Sequence, residues 1–409
     1  MEEWRQDWRK DFTPTELIDY FKNQPMDFAP GKKYQYNNSS YFLLGYIIEK
    51  VSGKSYPEFL DENIFKPLGM TSSYYGSNTQ IIKNRASGYQ KTDDFTNAEY
   101  LSMTQPYSAG SIMSTIDDLF KWHLAIQSNQ LVKKESIEKA FTNYTLNDGS
   151  YINYGYGWGI NEIKESPTLE HGGGIFGYTT NGIYLPEEDV FVAMFTNRDD
   201  MGPGMLSTKL AAIAIGKPFK DIKDSILMEE NALKTLTGVY DCDDSTSRVI
   251  SFENSKLYYQ APGSSKSRMI PYAENRFLFE NSLAEIEFMI NDMGVIEALF
   301  SNRINKTKGV KTDKPIPTRT EIDLDEEIMK QYVGEYEIQP NFIITITLED
   351  GHLMTQATGQ QKVEIFPESP TKFFLKIVDA QVEFIRNENG VVDALIIYQG
   401  GQEVKGIKK

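Results

Sequence analysis

At 409 residues the chain is too long for one ordinary core, and two or three domains is the default. A formal charge of −16 argues against nucleic acid or an anionic membrane as partner, and no stretch of about 18 apolar residues is present to span a bilayer. The single cysteine, Cys242, excludes internal disulfides and cysteine-based zinc, and its neighbours Asp241, Asp243 and Asp244 would raise its thiol pKa, so it reads as inert.

The opening M-E-E-W-R-Q-D-W-R-K has no apolar h-region and does not read as a signal peptide, which leaves localisation open. Thr13-Pro14-Thr15-Glu16 is a capping box with proline at the first helical position, and it predicts a helix through Leu17, Ile18 and Phe21 that Pro25 closes. Ser39 or Ser40 can cap the next helix, through Leu43, Leu44, Ile47, Ile48 and Val51, with Gly53 as its stop. A short helix follows near Pro57 to Phe65. Ser114-Thr115-Ile116-Asp117 reads as a second capping box, before a helix carrying Leu119, Trp122 and Ile126. Thr179 to Leu185 and Val190 to Thr196 read as two strands joined by the turn Pro186-Glu187-Glu188-Asp189, and Leu206 to Ile215 as a helix packed on them. Helices, then a hairpin, then a helix make an α+β pattern.

The remainder is strand-like and repeats. A constant offset of 96 residues maps Gly238 and Tyr240 onto Gly334 and Tyr336, Pro271 onto Pro367, Phe277 onto Phe373, and Glu287-Phe288 onto Glu383-Phe384. One β-unit is therefore present twice. Glu253-Asn254-Ser255 and Glu349-Asp350-Gly351 look like hairpin tips, and a small meander or closed barrel best accommodates so many short strands. Asn305 to Thr320, with Gly309, Pro315 and Pro317, reads as a semi-extended linker.

Of three histidines, His352 falls at a predicted hairpin tip and reads as solvated, and His123 lies on an amphipathic helix and reads as structural. His171 stands in Leu169-Glu170-His171-Gly172-Gly173-Gly174, at the end of a possible strand, where three glycines permit close approach and leave backbone N–H groups free to face a site. No second histidine or carboxylate stands at ligand spacing to it, so neither a metal nor any other cofactor is expected. Tyr36 and Asn38 form a polar pair just before a helix start, where Asn38 could simply cap the helix.

Tyr36-Asn37-Asn38 followed by S-S-Y-F-L-L-G-Y-I-I-E-K-V-S-G-K-S-Y and N-I-F-K-P-L-G-M-T-S-S resembles the tyrosine-box region of serine β-lactamase-like proteins, the class C and penicillin-binding-protein-related family that also holds esterases and D-aminopeptidases. Ser108-Ala109-Gly110-Ser111 with Asp117-Asp118-Leu119, then Tyr154-Gly155-Tyr156-Gly157-Trp158, then His171-Gly172-Gly173 as an H-x-G motif, continue the resemblance to about residue 216. It implies a β-lactamase-like antiparallel sheet with flanking helices, incomplete at its N-terminal side, followed by two tandem all-β domains. The divisions expected are 1–222, 228–304, a linker over 305–322, and 323–409. It implies acyl transfer on ester, amide or β-lactam substrates, with Tyr36 and His171 catalytic and with Asn38, Gly173 and Gly174 contacting a small-molecule or peptide substrate. Gly174 would give one oxyanion-hole N–H.

The family's nucleophile motif, S-x-x-K, is expected well upstream of the tyrosine, and Met1 to Gln35 contains no serine. The motif occurs only as Ser136-Ile137-Glu138-Lys139 and Ser369-Pro370-Thr371-Lys372, both read as coincidences. The expectation is thus a family scaffold lacking its N-terminal portion and inactive alone. Its strand Val190 to Thr196 would carry a bare edge open to self-association. The alternative is a non-catalytic binding module, or half of an assembly completed in trans.

Overall fold

The computed structural model describes residues 7–91, 94–339 and 342–409. These fall into two compact units, Met1–Phe219 and Lys220–Lys409.

The first unit opens with α1, Pro14–Phe21, whose N-cap Thr13 forms the predicted reciprocal box with Glu16. Helix α2, Asn38–Ser52, ends on Gly53 in the left-handed conformation. Its cap is Asn37 rather than Ser39 or Ser40: the Asn37 Oδ1 accepts the Ser40 N–H at 2.8 Å, and both serines lie inside the helix. Asn38, being the first helical residue, is not the cap either. Helix α3, Ile116–Gln127, is capped by Thr115 onto the Asp118 N–H, one residue later than the predicted box. The reciprocal half of that box is missing because the Asp118 carboxylate is committed elsewhere. It is buried, accepting from Ser72 N–H at 2.7 Å, Ser73 Oγ at 2.9 Å and Lys121 Nζ at 2.7 Å. Helix α4 spans Lys134–Phe141 and α5 spans Gly204–Ala214.

Four antiparallel strands form the sheet in the order β1–β2–β3–β4, with β1 Gly159–Ile163, β2 Ser166–Ile175, β3 Tyr178–Leu185 and β4 Val190–Thr196. Ala211 and Ala212 of α5 pack on Ile163, Ile183 and Leu185, where alanine lets the helix sit close. A second core joins Leu17, Phe42, Tyr56, Leu60, Phe65, Met70 and Tyr107. Strand β4 is one edge of the sheet, and among the described residues it pairs along its length only with β3. Several apolar rows at helical spacing face outward: Ile116, Phe120 and Leu124 on α3, Leu206, Leu210 and Ile213 on α5, and Leu44, Ile47 and Val51 on α2. On α2 it is Phe42 and Gly45 that are buried.

The second unit holds two closed eight-stranded barrels, each an up-and-down ladder. Their predicted hairpin tips are two-residue turns with positive φ at both central residues, Asn254 and Ser255 in one, Asp350 and Gly351 in the other. Each barrel is anchored alike: the Tyr240 hydroxyl donates to Leu236 O and the Tyr336 hydroxyl to Tyr332 O, both at 2.7 Å. The segment expected as linker begins later than its composition suggests, because Asn305–Thr312 is the strand that closes the first barrel. The reason is a bulge. In the first barrel Phe288 faces Ala298, but in the second the ladder slips between Ile385 and Arg386, Asp393 becomes the extra residue, and Phe384 faces Leu395. Beyond it the structural offset is 97, so that Gly309 and Lys311 match Gly406 and Lys408. Both glycines lie where a Cβ would meet the anchoring tyrosine, at 3.2 and 3.3 Å.

The barrels are bracketed to each other through Asp379. Its N–H donates to Ser264 O at 3.0 Å, its carboxylate accepts from Gly263 N–H at 3.3 Å and Arg319 Nη2 at 2.8 Å, and Gln399 Nε2 donates to Gly263 O at 3.2 Å. Replacing Asp379 by Ala removes two of these bonds, worth about 1–2 kcal/mol together. Limited proteolysis of segment 313–321 is expected to speed up by roughly tenfold while each barrel's circular dichroism stays unchanged; an unaltered cleavage rate would show that the bracket holds nothing.

Candidate active site

The geometry of β2 fixes what surrounds His171. The predicted strand end is in fact mid-strand, and His171 through Gly174 continue the ladder opposite Gly182, Asn181, Thr180 and Thr179. Strand β1 stops pairing at Gly159, opposite Glu170. In an antiparallel ladder successive residues point their amides to alternate sides. The two-residue turn at Phe176 and Gly177 makes Ile175 and Tyr178 the terminal pair, so Gly172 and Gly174 turn their backbone groups away from β3, past the end of β1. The Gly172 carbonyl is found there, 2.6 Å from His171 Nδ1. His171 and the three glycines are exposed.

Tyr36 and His171, 135 positions apart in the sequence, are brought together with ring centroids 5.9 Å apart. Two further phenols join them. Tyr154 lies 5.9 Å from the imidazole and 6.1 Å from Tyr36, with its hydroxyl 2.8 Å from His171 Nε2. The Tyr41 hydroxyl is 2.6 Å from that of Tyr154, and its ring is 5.5 Å from Tyr36. Tyr34 covers the Tyr154 ring at 5.6 Å. Asn38 is exposed in the first turn of α2, and among the described residues no hydrogen bond joins it to either ring. Gly173 lies opposite Thr180, whose Oγ1 is 2.6 Å from where a Cβ would stand.

The Y-G-Y-G-W sequence explains how Tyr154 is aimed. A Cβ on Gly155 would sit 2.1 Å from the Ala140 carbonyl oxygen, and Gly157 has φ +82, so neither position accepts another residue without a backbone shift. Trp158 stacks on Trp122 of α3 at 5.6 Å, which fastens the turn, and Tyr154 bridges to Gly159 at the start of β1. Tyr41 is held from its backbone: Ser108 Oγ donates to Tyr41 O at 2.9 Å. Sequence reasoning placed Tyr154 in a motif without a role and passed over Tyr41. The available signal was the tyrosine-rich spacing of Tyr34, Tyr36 and Tyr41.

Burial, then the neighbouring Tyr41, pushes the Tyr36 phenol above its usual range. Burial, then its hydrogen-bonded contact with Tyr41, pushes Tyr154 up as well. Both are neutral phenols at ordinary pH. Elsewhere, His123 is buried against Phe191 at 4.1 Å, and burial lowers its pKa, which fits a structural ring. His352 is exposed, 2.7 Å from Glu364. Burial first, with Asp244, Asp243 and Asp241 adding to it against Arg248, pushes the Cys242 thiol up to about 11. Ser136 is exposed on α4, and Ser369 closes a turn in which its Oγ accepts the Lys372 N–H. Among the described residues no cluster of His, Cys, Asp and Glu could hold a metal, and no helix is long and apolar enough to cross a membrane.

The family model described as Beta-lactamase matches residues 2–216, more than half of the chain. The chain belongs to the Beta-lactamase family. A second match, to a domain of unknown function (DUF3471), covers residues 318–407, the second barrel. Similar curated proteins include a penicillin-binding protein of Bacillus subtilis (strain 168), 27% identical over 302 residues, 68% of this chain and 66% of that one. A D-aminopeptidase of Gluconobacter oxydans (strain 621H) is 22% identical over 195 residues, 48% of this chain and 37% of that one. Among solved structures, the octameric penicillin-binding protein homologue from Pyrococcus abyssi is 26% identical with a TM-score of 0.46, covering 72% of this chain and 70% of that one. The chain thus spans two thirds or less of the length of these curated relatives. The Beta-lactamase family unit is a serine-hydrolase scaffold, followed in the sequence by the two barrels.

Proposed function

We propose that the first unit carries the tyrosine–histidine side of an acyl-transfer site for ester, amide or β-lactam substrates, and that this 409-residue polypeptide does not acylate on its own. The observation that carries the reading is the convergence of Tyr36 and His171, ring centroids 5.9 Å apart, beside the outward-turned amides of Gly172 and Gly174. A serine hydroxyl delivered there would attack the substrate carbonyl. Its proton would leave toward the phenols, and the developing oxyanion would lie against the Gly174 N–H. Gly173 and Asn38 would flank the substrate. The raised Tyr36 pKa supports inactivity in the isolated polypeptide, because a phenol becomes a base only where a cation lowers its pKa. The S-x-x-K lysine would be such a cation, and its serine the nucleophile. No S-x-x-K precedes Tyr36 in these 409 residues.

The test joins the chain to a segment bearing S-x-x-K, by fusion upstream of Met1 or by co-expression. Alone, the polypeptide is expected to take up no fluorophosphonate or penicillin adduct by intact mass. Joined, it should be labelled at the new serine and hydrolyse a simple ester on the order of 10³-fold faster than the isolated chain. An adduct on any serine of the isolated chain would refute the inactivity. A folded complex that stays inert would favour the non-catalytic binding module instead.

A further inference from the structure

We propose that Tyr154, backed by Tyr41, is a positioning residue that holds His171 in a single tautomer and makes its Nε2 the end of a one-way proton path. The argument begins at the Gly172 carbonyl, which can only accept. It lies 2.6 Å from Nδ1, so Nδ1 carries the hydrogen. A neutral imidazole then has a bare Nε2, and the Tyr154 hydroxyl 2.8 Å away must donate to it. Having given its only proton, the Tyr154 oxygen can only accept from Tyr41, 2.6 Å away. The three contacts have one consistent arrangement: Tyr41 to Tyr154, Tyr154 to His171, His171 to Gly172.

Each member is held independently of the others. Tyr154 is set by the crowded turn at Gly155 and its bridge to Gly159. Tyr41 is set by Ser108 at the backbone of α2, and His171 by the β2 ladder. The rings of Tyr34 and Tyr36 flank that of Tyr154, at 5.6 and 6.1 Å. Tyr36, beside Tyr41, marks where a proton would enter.

A proton presented at the Tyr41 oxygen passes along without net change in either phenol. Tyr41 gives its own proton to Tyr154, and Tyr154 gives its own to Nε2. Each hydroxyl loses one proton and gains one. The imidazolium that results keeps its Nδ1–H on Gly172. In this arrangement His171 never meets the proton donor directly. Only the source of that proton, an attacking hydroxyl, rests on the acyl-transfer reading; the tautomer does not.

The test is long-range proton–nitrogen NMR on the full chain labelled with ¹⁵N-histidine, with His171→Asn identifying one of three ring systems. At the alkaline limit of its titration, His171 is expected to show a protonated Nδ1 and a bare Nε2. In Tyr154→Phe the ratio of the Nδ1–H to the Nε2–H form should fall about tenfold, the loss of one hydrogen bond to the ring. Tyr41→Phe should shift the Nε2 resonance by less, and Tyr34→Phe should leave it in place. A wild-type ring protonated at Nε2, or a Tyr154→Phe spectrum equal to wild type, would overturn the proposal. Because the readout needs no activity, failure of the acyl-transfer test and failure of this one are separable.

Discussion

Phe384→Ala is expected to destabilise the second barrel by about 4 kcal/mol, the usual cost of emptying a buried aromatic site. Phe384 is 2% exposed at the centre of a ring cluster. It stacks on Tyr332 at 4.2 Å and meets Phe373 edge-on at 5.4 Å and Tyr336 at 5.8 Å. Backbone ladders close around this cluster on every side, so the cavity cannot collapse cheaply. Equilibrium urea unfolding of the full chain, followed by a probe in the second barrel, measures the loss. A change under about 1 kcal/mol would mean that the site relaxes and that the rings are not what holds the barrel. Phe288→Ala, its counterpart, should act as strongly on the first barrel, where Phe277 and Tyr240 lie 5.5 and 6.0 Å away.

Asp118→Ala is expected to cost the first unit about 3 kcal/mol, since it strips partners from the Ser72 N–H and the Ser73 hydroxyl. The carboxylate ties the loop after Met70 to α3, which in turn carries Trp122 and thereby the Y-G-Y-G-W turn. Burial works to raise its pKa, but Lys121, Ser72 and Ser73 overrule burial and hold it below the usual aspartate range. The sign follows from linkage. With the folded value below the unfolded one, the carboxylate stabilises fully above the ordinary aspartate pKa of about 3.9, and its contribution is lost as pH falls through the folded value. The stability gap between wild type and Asp118→Asn should therefore be constant from pH 5 to 7 and shrink below about pH 4. A gap that stayed level into acid would contradict the ionised, paired state.

Much of this was legible from residue order because the relevant forces are local. The Thr13–Glu16 box, the Gly53 stop, the hairpin around Glu187 and the two tips at Asn254 and Asp350 each follow from a few neighbouring residues. The doubled β-unit was legible for a different reason: the same burial pattern had to be encoded twice. What was hidden depended on distant partners. Asp118 reads as a helix-start acid until Ser72 and Ser73 claim it. Asn305–Thr312 reads as linker because a single inserted residue, Asp393 in the other copy, breaks the offset that would have exposed its twin. Of the site, Tyr36 and His171 could be picked by motif. The hydroxyl of Tyr154 could not, because its role arises from a bridge to Gly159 and a neighbour, Tyr41, 113 positions away.

The two halves of the chain differ in how they finish their sheets, and the difference decides how the protein ages. A ring of strands has no first or last member, so thermal fraying finds nowhere to start. The four-stranded sheet has an outermost member, β4, and the helices around it keep oily rows turned to water. A warm or protease-exposed stock should thus drift toward a population in which the barrels survive and the Beta-lactamase family unit has been lost or clumped. An old sample would then look well folded by its strand signal long after its first unit had gone.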